Sequence, residues 1–350
     1  MTEAPIARRP GPWAIVLAGG DGTRLQPLVD RLYGDGRPKQ FASLIGSRSL
    51  LRATLDRVGC FTAPDRTIVV TVAQYRGFVS AELGSDGYRT LEQPANRGTA
   101  AAILWAAMWV ARREPDATVV VVPSDHHLAD DRGIADHLLA LSALTSADPE
   151  RIVLLGARPV RPETGYGWIQ PGVPIGAAGS RPVWQVRRFL EKPTETAARE
   201  LLRRGWLWST LILVGRAAAL AAAGRDHLPW VHGPIEQAMR AAGPRRSDSA
   251  LRLAYAQIGA TDFSRDLLER VPDRLGVSVL SDLEWSDLGT PERVLAVAQA
   301  SGRRPTCTAP VEAGHAVLSR RSRPSHVAPP ACSSIHLRRP KPLAHQRYVG

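Results

Sequence analysis

Lysine is scarce in this 350-residue chain, which has three lysines among its 45 Lys and Arg residues. Cysteine is equally rare, and Cys60, Cys307 and Cys332 form neither a metal-ligand spacing nor an even-numbered disulfide framework. Long apolar runs are absent, since the longest, residues 100–111, is shorter than the roughly 20 residues that span a bilayer. The N-terminus lacks the apolar segment of a secretory signal. We therefore expect a reduced, cytoplasmic protein with no membrane partner.

The positive charge is concentrated near the C-terminus. The formal net charge is +12, and residues 301–350 contain eight arginines, one lysine and a single acid, Glu312. Seven prolines and the lack of a sustained periodicity are typical of disorder. We predict one domain over residues 1–302 and a disordered basic tail over 303–350. The tail is interpreted as a solvated extension, with weak RNA binding as the alternative, and no specific nucleic acid partner is expected.

Short β-rich runs alternate with helical stretches. We predict buried strands at 13–17, 66–72, 117–123 and 151–157, and helices at 49–59 and 98–113. This alternation implies an α/β fold with a mostly parallel central sheet flanked by helices. In the second half we predict strands at 182–193 and 209–215, and helices at 194–205, 233–243 and 291–301.

A glycine-rich stretch, LAGGDGTRLQPL (17–28), follows the first predicted strand. It is not a dinucleotide fingerprint, because Leu25 stands where the last glycine is required, and it lacks the Gly-Lys-Ser/Thr end of a P-loop. A tight turn is the alternative interpretation. Arg24 and the later Lys39 favour phosphate binding, because their charges can join the loop N–H groups at the carboxyl end of a parallel strand.

Two carboxylates follow strand-like segments far apart in the chain. Asp125 lies in VVPSDHHLAD and Asp287 in EWSDLGTP. If both loops reach the same sheet edge, these acids suit Mg²⁺, which takes few carboxylates together with phosphate oxygens. Capping of a turn or helix is the alternative for each. His126 and His127 have no third ligand at a spacing that suits zinc.

Two lysines lie in short polar stretches beside a proline, Lys39 in GDGRPKQF and Lys192 in FLEKPT. In a chain that otherwise uses arginine, each is interpreted as a mobile ammonium group for a phosphate oxygen. The alternatives are chance survival for Lys39 and a surface ion pair for Lys192.

Seven stretches in order resemble those of the sugar-1-phosphate nucleotidylyltransferases, most closely the mannose-1-phosphate guanylyltransferases. They are LAGGDGTRLQPL, RPKQF, EQPANRGTAAAI, VPSDH, ETGYGWIQPG, FLEKP and WSDLG. The resemblance implies a Rossmann-like nucleotidyltransferase fold and the reaction of an NTP with a sugar 1-phosphate to give an NDP-sugar and pyrophosphate. It implies Mg²⁺ as cofactor, GTP and mannose 1-phosphate as the first substrates to expect, and a place in GDP-mannose biosynthesis. A homo-oligomeric assembly is compatible with it.

The resemblance also assigns residues to subsites. Nucleotide binding falls to Leu17, Ala18, Gly19, Gly20, Gly22, Thr23, Arg24, Gln93, Asn96, Gly98 and Thr99. Sugar-phosphate binding falls to Gly165, Tyr166, Glu191, Lys192 and Ser209. Asp125 and Asp287 are the expected Mg²⁺ ligands, and the expected catalytic residues are Arg24, Lys39, Asp125 and Lys192.

One position departs from the family. The family usually has Trp-Asn-Ser where this chain has Trp208, Ser209 and Thr210, and a hydroxyl reaches less far than a carboxamide. Another NTP and hexose 1-phosphate pair is therefore an alternative, and so is a non-catalytic sensor that binds sugar nucleotides without turnover.

Overall fold

A computed structural model describes residues 11–241, 247–280 and 285–302. The strands are β1 (Trp13–Leu17), β2 (Thr67–Val72), β3 (Arg89–Gln93), β4 (Thr118–Pro123), β5 (His127–Leu128), β6 (Ile152–Ala157), β7 (Gly167–Ala178), β8 (Arg181–Glu191), β9 (Leu207–Arg216), β10 (Leu275–Leu280) and β11 (Trp285–Ser286). The helices are α1 (Gln26–Tyr33), α2 (Leu50–Val58), α3 (Arg76–Leu83), α4 (Thr99–Ala111), α5 (Asp131–Ala147), α6 (Glu195–Arg203), α7 (Ala217–His227), α8 (Pro229–Ala241), α9 (Ser247–Gln257), α10 (Phe263–Asp266) and α11 (Pro291–Ala300).

Nine of the described strands form one sheet in the order β3-β2-β1-β4-β9-β6-β10-β8-β7. The strands β3, β2, β1 and β4 pair in parallel, and so do β6 and β10. Strand β9 runs antiparallel to its neighbours β4 and β6, and β8 runs antiparallel to β10 and β7. Seven of these nine strands therefore share one direction, which confirms the predicted α/β fold with a mostly parallel sheet.

The central strands are buried on both faces. In β1, Ile15 packs into one core and Val16 into the other, because successive side chains point to opposite faces of a strand. Strands β2 and β4 alternate in the same way. Helices α4, α7 and α8 cover one face, and α2, α3 and α5 cover the other. The Val- and Ile-rich runs therefore lie between two helical layers, as parallel strands usually do.

The longest apolar run forms α4, in which ten of thirteen residues are buried. A helix that is apolar on all sides is typical of a protein core. Helix α7 packs closely on it, since a Cβ at Gly224 would lie 2.6 Å from a Leu104 methyl carbon. No helix of the described residues has both the length and the apolarity that a membrane crossing needs.

The other predicted elements are confirmed with shifted ends. Thr194 caps α6 by accepting a hydrogen bond from the Ala197 N–H, and Gly205 follows the helix with a φ of +72°. The helix predicted from residue 233 begins earlier, at Pro229, and ends at Ala241. Among the described elements, strands β3, β5, β7, β10 and β11 and helices α1, α3, α5, α7, α9 and α10 were not predicted. The domain boundary at residue 302 stays a prediction, and the predicted disordered tail, 303–350, lies outside the described residues.

Candidate active site

The glycine-rich loop leaves β1 at the carboxyl edge of the parallel strands. The Gln40 carboxamide donates hydrogen bonds to the carbonyl oxygens of Ala18 (3.2 Å) and Gly20 (2.8 Å). Gly22 has a φ of +62°, and a Cβ there would lie 2.9 Å from Lys39 Cγ. Glycine is required at residue 22 because the left-handed backbone and the close lysine both exclude a side chain.

The other residues predicted in this loop line its two ends. Leu17 is the last residue of β1, and Thr23 begins a single 3-10 turn. A Cβ at Gly19 would lie 3.2 Å from Gln93 Nε2, so the loop packs against the residue predicted to contact the base.

Lys39 connects the glycine loop with both predicted metal ligands. It follows Pro38 in a short 3-10 turn, and its side chain is buried. The Lys39 Nζ lies 3.0 Å from Asp125 Oδ2 and donates to the backbone oxygen of Asp287 at 2.9 Å. One detail of the prediction is wrong, because the lysine is a buried charge held by two contacts rather than a mobile one. Its segment lies between α1 and α2.

A small two-stranded ladder joins the loops that carry the two aspartates. Strand β5 follows Asp125 closely and pairs antiparallel with β11, which immediately precedes Asp287. The Trp285 indole N–H donates to His126 Nδ1 at 3.3 Å and links the same two loops. The structure therefore brings the distant carboxylates to one sheet edge, as the sequence analysis required for a shared metal.

The Asp287 carboxylate is held mainly through one oxygen. Its Oδ1 accepts hydrogen bonds from the Tyr166 hydroxyl (2.6 Å), Arg293 Nη1 (2.6 Å) and the Gly289 N–H (3.1 Å). Arg24 Nη2 lies 3.3 Å from the other oxygen. Burial raises the pKa of this carboxyl, but the Tyr166 hydrogen bond and Arg293 outweigh burial and lower it to about 2. Asp287 is therefore ionised at neutral pH.

Asp125 is ionised for a similar reason. Burial raises the pKa of its carboxyl, but the Lys39 ammonium beside it outweighs burial, so the pKa lies below its usual value. His126 Nε2 lies 3.6 Å from Asp125 Oδ1, and burial lowers the pKa of this imidazole. An indole N–H only donates, so the hydrogen bond from Trp285 leaves the proton of the neutral imidazole on Nε2, facing Asp125.

The chemistry of these donors fits Mg²⁺. Mg²⁺ binds through one or two carboxylates and completes its shell with water and substrate phosphates. Asp125 and Asp287 supply two ionised carboxylates, and the exposed Arg24 makes only a long contact with Asp287 Oδ2. In the part of the chain that the structure describes, no group of three or more His, Cys, Asp or Glu is arranged to hold a metal.

Lys192 lies in a neighbouring acidic cluster. Its Nζ lies 2.6 Å from Glu191 Oε1 and 3.4 Å from Asp262 Oδ2, and its φ is +48°. Burial raises the pKa of the Glu191 carboxyl, although the Lys192 ammonium acts in the opposite direction. The Lys192 N–H donates to the Tyr166 backbone oxygen at 3.1 Å. Lys192 therefore makes no direct contact with Asp125 or Asp287 among the contacts described. Its backbone is linked to Asp287 through Tyr166, whose hydroxyl donates to the Asp287 carboxylate.

The remaining residues predicted for the sugar side lie in this region. The Gly165 N–H donates to Glu163 Oε1 at 3.0 Å, and a Cβ on this glycine would lie 3.5 Å from Arg24 Nη1. Ser209 begins an irregular part of β9, where its Oγ accepts from the N–H of Leu211, which has a φ of +57°. Bulges of this kind often redirect side chains beside active sites.

The residues predicted near the base form a hydrogen-bonded loop. The Asn96 amide donates to Asp21 Oδ2 at 3.2 Å, and its oxygen accepts from the Gly98 N–H at 3.0 Å. The Tyr255 hydroxyl donates to Gln93 Oε1 at 3.1 Å. These bonds hold the loop between β3 and α4 before any ligand binds.

One segment connects this loop with Lys192. A Cβ at Gly98 would lie 2.3 Å from the Thr261 backbone oxygen. The Phe263 N–H donates to Thr99 Oγ1 at 2.9 Å. Asp262 lies between these two contacts and binds Lys192. The segment therefore joins the predicted nucleotide and sugar-phosphate subsites.

Sequence reasoning missed Arg293, which holds Asp287, and Glu163, which holds Arg293. Arg293, near the start of α11, binds Asp287 with one nitrogen and Glu163 with the other. Glu163 is the first residue of the quoted stretch ETGYGWIQPG but was assigned no role there, and Arg293 follows Asp287 by six residues. The role of each depends on a partner that is distant in the sequence, and no local pattern distinguishes Arg293 from an ordinary surface charge.

The fold and the site define an α/β protein whose candidate ligand site lies at the carboxyl ends of parallel strands. A model of the family described as nucleotidyl transferase matches residues 13–303. This chain belongs to the nucleotidyl transferase family.

Individual relatives agree with this family. The xanthan biosynthesis protein XanB of Xanthomonas campestris is 32% identical over 297 residues, 83% of this chain and 60% of XanB. A mannose-1-phosphate guanylyltransferase of Sinorhizobium fredii is 33% identical over 283 residues, 79% of this chain and 52% of the relative. A crystal structure from Thermus thermophilus, described as a mannose-1-phosphate geranyltransferase, has 31% identity and a TM-score of 0.69, covering 81% of this chain and 79% of that one.

These similarities confirm the predicted resemblance to the sugar-1-phosphate nucleotidylyltransferases. The chain spans between about half and three-fifths of the length of the two curated relatives.

Proposed function

We propose that this protein joins an NTP to a sugar 1-phosphate and releases pyrophosphate, with GTP and mannose 1-phosphate as the first pair. The observation that carries the proposal is the contact of Lys39 with both aspartate segments beside the glycine-rich loop. The names of the relatives support guanylyl transfer to mannose 1-phosphate and a role in nucleotide-sugar biosynthesis. A cytoplasmic location and a homo-oligomeric assembly stay predictions.

In this reaction a phosphate oxygen of the sugar 1-phosphate attacks the α-phosphorus of the NTP. The bond from that phosphorus to the bridging oxygen breaks, and pyrophosphate leaves with the bond electrons. The attacking oxygen is already anionic, so the chain is needed to position the reactants and to reduce charge repulsion. The N–H groups of the Gly19–Gly22 loop and Arg24 face the triphosphate. Lys39 supplies a positive charge that its buried contacts hold in place before the substrates arrive.

Asp125 and Asp287 would hold Mg²⁺, which when bound neutralises phosphate charge and reduces repulsion of the nucleophile. Both pKa values lie below the usual value for aspartate, so neither carboxylate has to lose a proton at neutral pH.

Lys192 binds the phosphate of the sugar substrate in this proposal. Its ammonium is paired with Glu191 and Asp262, so a bound phosphate either displaces these carboxylates from the ammonium or binds the ammonium beside them. Glu191, Gly165 and Ser209 then face the sugar. Because the Ser209 hydroxyl is shorter than the asparagine usual in the family, we expect Ser209→Asn to change the relative turnover of different hexose 1-phosphates.

The experiment is a matrix of four NTPs against several hexose 1-phosphates with Mg²⁺, with pyrophosphate release as the readout. We expect one productive pair, which contains GTP. Asp125→Asn should abolish turnover, while Asp136→Asn should not, because Asp136 is exposed on α5 and outside the site. If folded wild-type protein releases no pyrophosphate with any pair, the proposal is wrong and a non-catalytic sensor explains the site better.

A further inference from the structure

A cavity lies beside the segment that carries Asp287, because Ser286 and Arg293 line it. Its volume is about 510 Å³, and its walls include Tyr166, Trp208 and Trp285. The small side chains of α11, such as Ala296, form another wall. Apart from Tyr166, no residue assigned above to the nucleotide, the sugar phosphate or the metal lines this cavity. It is therefore separate from the candidate active site and shares one wall with it.

Aromatic rings form a rigid wall of this cavity. The Tyr166 ring packs edge-on against Trp208 and Trp285, with centroids 5.3 Å and 5.2 Å apart. The Arg161 guanidinium lies 5.5 Å from the centre of the Trp208 ring. Rings that support one another offer apolar area to a planar ligand at little cost in conformational entropy.

The cavity is also positively charged. Arg158, Arg161 and Arg293 line it, and the nearby acid Glu163 is already bound to both Arg161 and Arg293. Arg158 is exposed, and within the described residues it has no hydrogen-bond or ion-pair partner. Among the described residues, the charge of Arg158 is therefore left without an acidic partner beside this aromatic cavity.

We propose that this cavity is a second binding site for an anionic ligand that carries an aromatic ring, the class to which nucleoside phosphates belong. Its volume lies within the range of roughly 300 to 1,000 Å³ of small-molecule sites. The ligand ring packs against the aromatic walls, and Arg158 and Arg161 donate charge-assisted hydrogen bonds to the phosphate oxygens.

The cavity is connected to the candidate active site through two side chains. Tyr166 and Arg293 line it, and each donates to Asp287 Oδ1 at 2.6 Å. A bound phosphate that attracts Arg293 competes with Asp287 for the same guanidinium. The ligand therefore weakens the contact between Arg293 and Asp287 and lowers turnover. This effect on turnover rests on the proposed function, whereas binding of the ligand to the cavity does not.

The test is calorimetric titration of the full chain with GDP in the absence of Mg²⁺. We expect two sites per chain in the wild type. In the Arg158→Glu, Arg161→Glu double variant one site should bind at least tenfold more weakly, a change of about 1.4 kcal/mol, while the other is unchanged. The matched control is Arg112→Glu with Arg132→Glu, two exposed arginines that do not line the cavity. It should keep both sites.

Inorganic pyrophosphate tests the requirement for a ring. It should bind at least tenfold more weakly than GDP at the site that the double variant loses, and equal binding would overturn the aromatic part of the proposal. GDP binding that the double variant leaves unchanged would overturn the site itself. If the chain proves to have no active site, one GDP site should persist and should still depend on Arg158 and Arg161.

The connection to Asp287 has its own readout. In wild-type enzyme, GDP should inhibit turnover with a component that saturating NTP does not relieve, and the double variant should lack this component. Persistence of the component in the double variant would overturn the connection.

Discussion

Tyr166→Phe removes one hydrogen bond from the Asp287 carboxylate and leaves the aromatic ring in place. The buried Tyr166 hydroxyl donates to Asp287 Oδ1 at 2.6 Å. A hydrogen bond to a charged group contributes about 1.5 to 3 kcal/mol. We expect the free energy of unfolding at pH 7 to fall by about 2 kcal/mol, because Arg293 and the Gly289 N–H still bind the carboxylate.

The pH dependence follows from the pKa of Asp287. Folding lowers this pKa from 3.8 to about 2, so the unfolded state binds more protons in acid. At about 1.4 kcal/mol per pKa unit, ionised Asp287 contributes about 2 kcal/mol, present above pH 4 and lost as the pH falls toward 2. Removal of the Tyr166 donor raises this pKa. The stability difference between variant and wild type should therefore shrink below pH 4.

Urea unfolding at pH 7 and at pH 2.5 measures both effects. The matched control is Tyr255→Phe, whose buried hydroxyl donates to the neutral amide oxygen of Gln93. It should cost about 1 kcal/mol with no dependence on pH over this range. The reasoning is refuted if Tyr166→Phe costs no more than the control at pH 7, or if its cost is the same at both pH values.

Three further predictions concern other parts of the molecule. Lys39→Arg should lower turnover as strongly as Lys39→Ala, because a planar guanidinium does not reproduce the two contacts of a buried ammonium; a near-normal rate in the arginine variant would contradict this. Gly98→Ala should destabilise by more than about 2 kcal/mol in thermal unfolding, because its Cβ would lie 2.3 Å from the Thr261 oxygen at a φ of +84°. The control is Gly77→Ala in α3, where the added Cβ meets open space, so stability should be unchanged or increased by up to about 1 kcal/mol. Similar losses of stability in both variants would argue against the close contact between residue 98 and Thr261. Burial lowers the pKa of His137 to about 4, so the unfolded state binds more protons than the folded state below pH 6.5. The free energy of unfolding should therefore fall by about 2 to 3 kcal/mol between pH 7 and pH 4.5. His137→Asn should flatten this slope in urea unfolding, and an unchanged slope would show that another group causes it.

The parallel half of the sheet is predictable because its signal is local. Strands β1, β2 and β4 are short Val- and Ile-rich runs buried on both faces, and each is followed by polar or glycine-rich residues. Strand β7 gives no such signal, since Pro171 and Pro174 interrupt it at positions where its register with β8 shifts. The direction of β9 depends on contacts with β4 and β6 and cannot be read from a single strand.

The candidate site divides in the same way. Asp125 and Lys39 were found because each lies in a short recognisable stretch, and the structure brings them together. The roles of Arg293 and Glu163 were not found, because each depends on contacts that form only when distant segments meet. The burial of Lys39 was missed for the same reason, since Asp125 and Asp287 enclose it only in the folded chain.

The central claim is that Asp125 and Asp287 together hold one divalent cation with the nucleotide. Water-proton relaxation during titration with Mn²⁺ in the presence of GTP tests it directly, since Mn²⁺ accepts the same oxygen ligands as Mg²⁺. We predict one protein-bound Mn²⁺ per wild-type chain, its loss in both Asp125→Asn and Asp287→Asn, and its retention in Asp136→Asn. Wild-type Mn²⁺ binding in either of the first two variants would contradict the account.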